Sequence, residues 1–218
     1  LREKLQFSSR FIKRLTTKKG YLLINGKPVT VRYVLQIGDE LEIVMPEEKR
    51  SESLVAENIP LHIVYEDDWL IVLNKEAGIP SIPSQLYPSG TIANGLLAYY
   101  NEQSLPYTVH VVTRLDKNTS GLMLIAKHQF SHSFLSEMQR KNKIKRSYEA
   151  LVEGFLEQSD GIIDFPIQRK PGSIIEREVA PDGQTAITHY RVIQQYDDFA
   201  HVSISLETGR THQIRVHF

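Results

Sequence analysis

The stretch VVTRLDKNTSGLMLIAK, residues 111–127, sets one carboxylate, Asp116, two residues after Arg114. A small polar Asn-Thr-Ser-Gly turn follows, then an apolar run from Leu122 to Ala126. A carboxylate held in a turn can attack an electrophilic carbon or take a proton. It can equally do no more than satisfy backbone N–H groups of its own turn. His128 and His132, four apart, have a spacing that zinc ligands use on a helix, but no third ligand is spaced to help, so a solvated helix face is the better reading. The chain has no cysteine, which removes thiolate chemistry and disulfides and suits a reducing compartment. No Gly-rich phosphate loop and no metal-binding cluster stand out, so neither a cofactor nor a metal is expected.

The elements that must position Asp116 read as mostly strands with a few interleaved helices, an α+β class with a mixed, mostly antiparallel sheet. LHIVYEDDWLIVLNK alternates into a hairpin around Glu66 to Asp68. QFSHSFLSEMQR sets Phe130, Phe134, Leu135 and Met138 on one helical face, and KRSYEALVEG reads as a strand. The last stretch, 186–218, reads as three strand-like runs broken at Asp197-Asp198 and Thr208-Gly209. Ahead of these lies a small unit, residues 1–46. Phe11, Ile12 and Leu15 recur at helical spacing, Lys18 to Gly20 form a stop, and YLLINGKPV reads as strand, Asn-Gly turn, strand. Residues 47–58 are polar and read as a linker to a larger domain at 59–218.

The 218 residues carry zero formal net charge, but the charge is unevenly spread. Arg10, Lys13, Arg14, Lys18, Lys19, Lys27 and Arg32 fall in one window with no acid, and a second basic cluster runs from Arg140 to Arg146. Such faces bind phosphate even on a neutral chain, although a lone cluster is more often only solvated. No apolar run approaches the roughly 18 residues of a membrane helix, so no membrane partner is expected.

RLDKNTSGLMLIAK resembles the central motif of the RluA-type pseudouridine synthases, and VLNKEAGIP, residues 72–80, resembles that family's first motif. KRSYEALVEG is similar to its Lys-x-Tyr-x-Ala motif, with Arg146 in the Lys place, and LETGRTHQIRVHF resembles its final basic motif. The small N-terminal unit resembles an S4-type RNA-binding domain. Two departures stand out: Thr113 replaces the usual His before Arg-Leu-Asp, and the family continues for a further strand-and-helix segment after the position of Phe218. The resemblance implies isomerisation of uridine to pseudouridine in RNA, with ribosomal RNA ahead of tRNA as the target. It makes Asp116 the catalytic carboxylate and Tyr148 the ring that stacks on the freed uracil; a carboxylate in a dry pocket needs a cation, for which Arg215 is the expected partner and Arg210, in the turn, the rival. Arg114, Thr119, Ser120, Gly121, Arg210 and His212 are the implied substrate contacts, and the seven N-terminal basic residues the RNA-binding face. A cytoplasmic monomer is expected. The competing classes are an RNA-binding protein on an inactive scaffold and a nucleoside glycosidase, which would need a second cooperating carboxylate.

Overall fold

Among the described residues, alternating apolar residues build three antiparallel sheets and one two-stranded ribbon, and the buried helix Ile92–Glu102 packs into the core of one sheet. The computed structural model describes residues 1, 7, 9–17, 21–45 and 48–218, and the side chains of Arg10, Arg14, Thr16 and Thr17 lie outside that description. The chain divides into two units, Leu1–Glu137 and Met138–Phe218.

The first unit opens with helix α1 (Ser9–Thr17) and a three-stranded sheet of β1 (Tyr21–Ile24), β2 (Lys27–Val29) and β3 (Leu41–Val44), in the order β2-β1-β3. The Asn25-Gly26 turn takes positive φ at both residues, 51° and 75°, which matches the twist of a two-residue hairpin. Phe7, Phe11 and Leu15 are buried together, and the Phe130 ring meets Phe7 edge-on at 4.5 Å.

The second sheet has the order β4-β5-β7-β6, with β4 (Ile63–Glu66), β5 (Leu70–Lys75), β6 (His110–Val111) and β7 (Gly121–Ala126). Helix α2 (Ile92–Glu102) supplies Ile92, Leu96 and Tyr100 to the same core as Ile71, Leu73, Met123 and Ile125 of this sheet. Thr91 caps that helix through a capping box with Asn94. Helix α3 (Gln129–Arg140) follows β7.

Residues 48–58 are bonded along their length to this core. Glu48 accepts from the Gln129 N–H at the start of α3 and pairs with His110. The Arg50 Nε donates to the Tyr107 carbonyl at 2.9 Å, and the Val55 carbonyl accepts from the Asn94 side chain at 2.8 Å. Burial works to raise the Glu48 pKa, but the His110 and Gln129 bonds, with the charges of His110 and His128, bring it below the ordinary 4.5. A carboxyl depressed on folding stabilises above its unfolded pKa and loses that contribution as pH falls through the folded value. Glu48→Gln should therefore cost about 1 kcal/mol near neutral pH. In denaturant titrations the gap from the parent should close as the pH drops below 4.5.

The second unit holds a four-stranded sheet in the order β8-β13-β12-β9, from β8 (Ser147–Glu153), β9 (Asp160–Asp164), β12 (Ile187–Gln195) and β13 (Phe199–Leu206). The ribbon pairs β10 (Ile167–Arg169) with β11 (Arg177–Val179). Ala200, Val202 and Ile204 form the core of this unit. The third run of the C-terminal stretch is not a strand. Residues Gln213–His217 form a short helix, α4, after His212 takes φ 58°. Residues Gln129–Arg140 form the expected helix, in which Phe134 is exposed and Ser131 is buried.

Candidate active site

Asp116 sits between two peptide groups that are fixed from outside its own loop. On one side the Ser81 hydroxyl donates to the Leu115 carbonyl at 2.6 Å and accepts from the Leu115 N–H at 3.1 Å. On the other, the Lys117 carbonyl accepts from the Gly78 N–H at 2.8 Å and from the Lys75 ammonium at 3.0 Å. The loop closes on itself where the Thr119 N–H donates to the Asp116 carbonyl at 3.1 Å. Gly121 then leaves the turn at φ 122°, which L side chains rarely adopt, and starts β7. Such double anchoring limits how far the half-buried carboxylate can wander, as a reactive group requires.

Thr113, the residue that departs from the usual His, ties the loop to the sheet. Its hydroxyl oxygen accepts from the Leu124 N–H at 2.8 Å, while its own N–H donates to the Leu124 carbonyl at 3.2 Å. Arg114, Asn118 and Ser120 point to solvent around the loop, and Thr119 is half-buried. Arg114, Thr119, Ser120 and Gly121 thus share one loop with Asp116.

Lys75 was not singled out by its sequence context. Its side chain is 1% exposed, and its ammonium donates to the carbonyls of Glu76, Ile79 and Lys117 at 2.7, 2.9 and 3.0 Å. Burial pushes the Lys75 ammonium below the ordinary lysine range, and the nearby Asp116 charge works against that fall. Lys75 stands opposite Gly121 in the β5–β7 register, and its bond to the Lys117 carbonyl joins the first motif to the Asp116 loop. Lys75→Met would leave the Glu76 and Ile79 carbonyls without a donor and the Lys117 carbonyl with the Gly78 N–H alone. It should cost about 3 kcal/mol in urea unfolding and lower turnover through the loosened loop.

The second unit carries the other candidates. Tyr148 lies on the inward face of β8, opposite Ile204 in register and packed on the core of that unit. The Arg146 guanidinium donates to the Thr208 carbonyl at 3.1 Å and lies across Gly209, which brings the third and fourth motifs together. Arg210 donates from its Nε to the Thr185 carbonyl at 2.8 Å. The Gln213 side chain is buried and fully used. It accepts from the Thr208 hydroxyl and the Arg210 N–H, and donates to the Ile187 carbonyl and the Thr188 hydroxyl. His217 meets the Phe165 carbonyl through Nε2, which must therefore donate, and its Nδ1 accepts from the Thr188 hydroxyl. His212 is half-buried in a left-handed conformation and Arg215 is exposed on α4.

His128 and His132 do not form a solvated face. Both are half-buried, with His132 stacked on His110 and His128 edge-on to Trp69. No group of three potential ligands is poised for a metal among the described residues. On the N-terminal module Lys13, Lys27 and Arg32 are exposed. The side chains of Arg10 and Arg14, and all of Lys18 and Lys19, lie outside the described residues.

The profile of the RNA pseudouridylate synthase family matches residues 69–218. The chain is 52% identical over 213 residues to the uncharacterized RNA pseudouridine synthase YjbO of Bacillus subtilis, covering 98% of this chain and 75% of that protein. It is 40% identical over 182 residues to ribosomal large subunit pseudouridine synthase D of Haemophilus ducreyi, covering 83% of this chain and 55% of that one. The human RNA pseudouridylate synthase domain containing 4 superposes with a TM-score of 0.57 at 26% identity, over 72% of this chain and 62% of its own.

Proposed function

Since the chain belongs to the RNA pseudouridylate synthase family, we propose that it converts uridine to pseudouridine in large-subunit ribosomal RNA, with Asp116 as the catalytic carboxylate. The observation that carries the assignment is the anchoring of the Leu115 and Lys117 peptides on either side of Asp116. The reaction breaks the N1–C1′ bond, turns the base, and joins C5 to C1′. The proton lost from C5 balances the one gained at N1, so no redox partner or net water is consumed. Asp116 attacks the sugar or removes a ribose proton, and either route requires the ionised carboxylate. The target uridine must leave its stack, and Arg114, exposed on the same loop, fills the vacated space or holds the flanking phosphate. Tyr148 supplies a face for the freed uracil and Arg215 pairs with Asp116. Thr119, Ser120, Gly121, Arg210 and His212 contact the nucleotide.

The N-terminal module serves as an S4-like RNA-binding unit, with its basic residues between positions 10 and 32 adding affinity. No helix among the described residues is long and apolar enough to cross a membrane, and the proposed working state is a cytoplasmic monomer. The test is to map pseudouridine across cellular RNA with and without this protein. Loss of one or more large-subunit sites supports the reading. Loss confined to tRNA redirects the substrate, and an unchanged map from an expressed, RNA-bound chain favours a binding protein on an inactive scaffold.

A further inference from the structure

The loop SIPSQLYPSG, residues 81–90, carries chemistry that the catalytic reading does not use. Its middle is a tight turn. The Ser84 N–H donates to the Tyr87 carbonyl at 2.9 Å, and the Ser84 hydroxyl accepts from the Tyr87 N–H at 3.2 Å. The turn presents Leu86 and Tyr87 to solvent, 49% and 39% exposed. Both ends are tied down: Ser81 holds Leu115, and the Gly90 N–H donates to the Glu57 carboxylate at 2.9 Å. A large side chain held outward on a fixed loop is displayed at little further entropic cost.

Lys117 meets this loop. It directly follows Asp116, and its ammonium lies 4.2 Å from the centroid of the Tyr87 ring. The Lys117 carbonyl is fixed by Gly78 and Lys75, so the side chain grows from an immobile root. Among the described residues Lys117 pairs with no carboxylate. Packing an ammonium on a ring leaves its charge uncompensated, whereas an ion pair would cancel it. An exposed ring beside an uncancelled cation suits one ligand class in particular. A single-stranded nucleotide offers a flat base to the ring and a phosphate to the ammonium.

We propose that Tyr87, Leu86 and Lys117 form a subsite for the nucleotide adjoining the one on which Asp116 acts. The base stacks on Tyr87 with Leu86 at its edge, and the connecting phosphate takes Lys117. The position of the subsite relative to the target rests on the assignment of Asp116; its ability to bind a nucleotide does not.

The test uses the whole chain and an oligocytidine strand with one uridine, which sets the register, and a 2-aminopurine beside that uridine. Stacking on Tyr87 should quench the 2-aminopurine fluorescence. Tyr87→Leu keeps apolar bulk but loses the ring, so it should abolish the quench and weaken binding about tenfold or more. Tyr87→Phe should behave as the parent. Lys117→Gln should lower the slope of log K against log salt by about 0.7, the share of one phosphate on a single strand. Unchanged affinity and slope in both variants, or no quench with the parent, overturns the proposal and leaves Lys117 on Tyr87 as a fold contact. Asp116→Asn is run in parallel with turnover as its readout. If that variant still makes product while Tyr87→Leu and Lys117→Gln lose binding, the catalytic assignment falls and the nucleotide subsite stands. If Asp116→Asn is dead and the subsite variants bind normally, only the subsite falls.

Discussion

Asp116→Asn is expected to abolish turnover, by at least about 10⁴-fold, the scale on which enzymes lose activity with their nucleophile. RNA affinity should stay within about twofold of the parent, because only uniform binding contacts would remain to set it. The amide is isosteric with the carboxylate, so the loop has no steric reason to move. Its shape is set by backbone contacts that the substitution leaves intact: Ser81 on Leu115, Gly78 and Lys75 on Lys117, and Thr119 N–H on the Asp116 carbonyl. What disappears is the negative charge and the nucleophilic oxygen, which both catalytic routes require. Single-turnover assays with excess enzyme isolate the chemical step from product release. Substantial product under those conditions would sink the assignment. An inactive variant with an unaltered denaturation midpoint would tie the loss to chemistry, since Asp116 also carries local electrostatic contacts in the folded chain.

Strands flanked by turn chemistry were legible from sequence, and elements without a local period were not. The β1–β2 hairpin announced itself through Asn25-Gly26, and the β4–β5 hairpin through alternation on both sides of Asp67, whose carboxylate accepts from the Trp69 and Leu70 N–H groups. Helix α2 left no amphipathic stripe because it is buried nearly all round, from Ile92 to Leu97 and at Tyr100. Helix α4 was misread as a strand. Ile214, Val216 and Phe218 alternate, and five residues cannot separate a period of two from one of 3.6. The helix is set instead by long-range bonds of Gln213 and His217 to β12 and to Phe165, which no local pattern reveals.

The same division holds at the site. Asp116 and its turn could be read from one contiguous motif. Lys75 could have been found as well: it continues the inward register of Ile71 and Leu73, and a lysine on an inward position needs partners. Ser81 gave no signal, since its work is to bond a peptide 34 residues away. His128 and His132 misled because the lack of a third ligand at metal-binding spacing suggested a solvated face, whereas His132 of α3 stacks on His110 of β6 and His128, just ahead of α3, meets Trp69.

Arg215→Met is expected to lower the single-turnover rate by about 10²- to 10³-fold, the usual cost of removing one charged group aimed at a reacting centre. Arg215 projects from α4 between Gln213 and His217, both held by side-chain bonds, so an exposed guanidinium rises from a fixed root. Asp116 is half-buried, and RNA over the loop would remove more of its water. An ionised carboxylate cut off from water is costly unless a cation and hydrogen bonds replace the solvent, and a guanidinium supplies both. Methionine keeps much of the arginine stem while removing the charge. If the two residues form one catalytic pair, Asp116→Asn with Arg215→Met should be scarcely slower than Asp116→Asn alone, because the second change removes a partner from an oxygen that no longer acts. Arg215→Lys should recover only part of the loss, since an ammonium lacks the fork that aims a carboxylate. Arg210→Met provides the contrast: its Nε is already given to the Thr185 carbonyl, so its loss should fall on RNA affinity more than on the chemical step. Losses at Asp116 and Arg215 that multiply independently would exclude direct pairing. A coupling that appeared instead between Asp116 and Arg210 would move the ion pair to the turn ahead of α4.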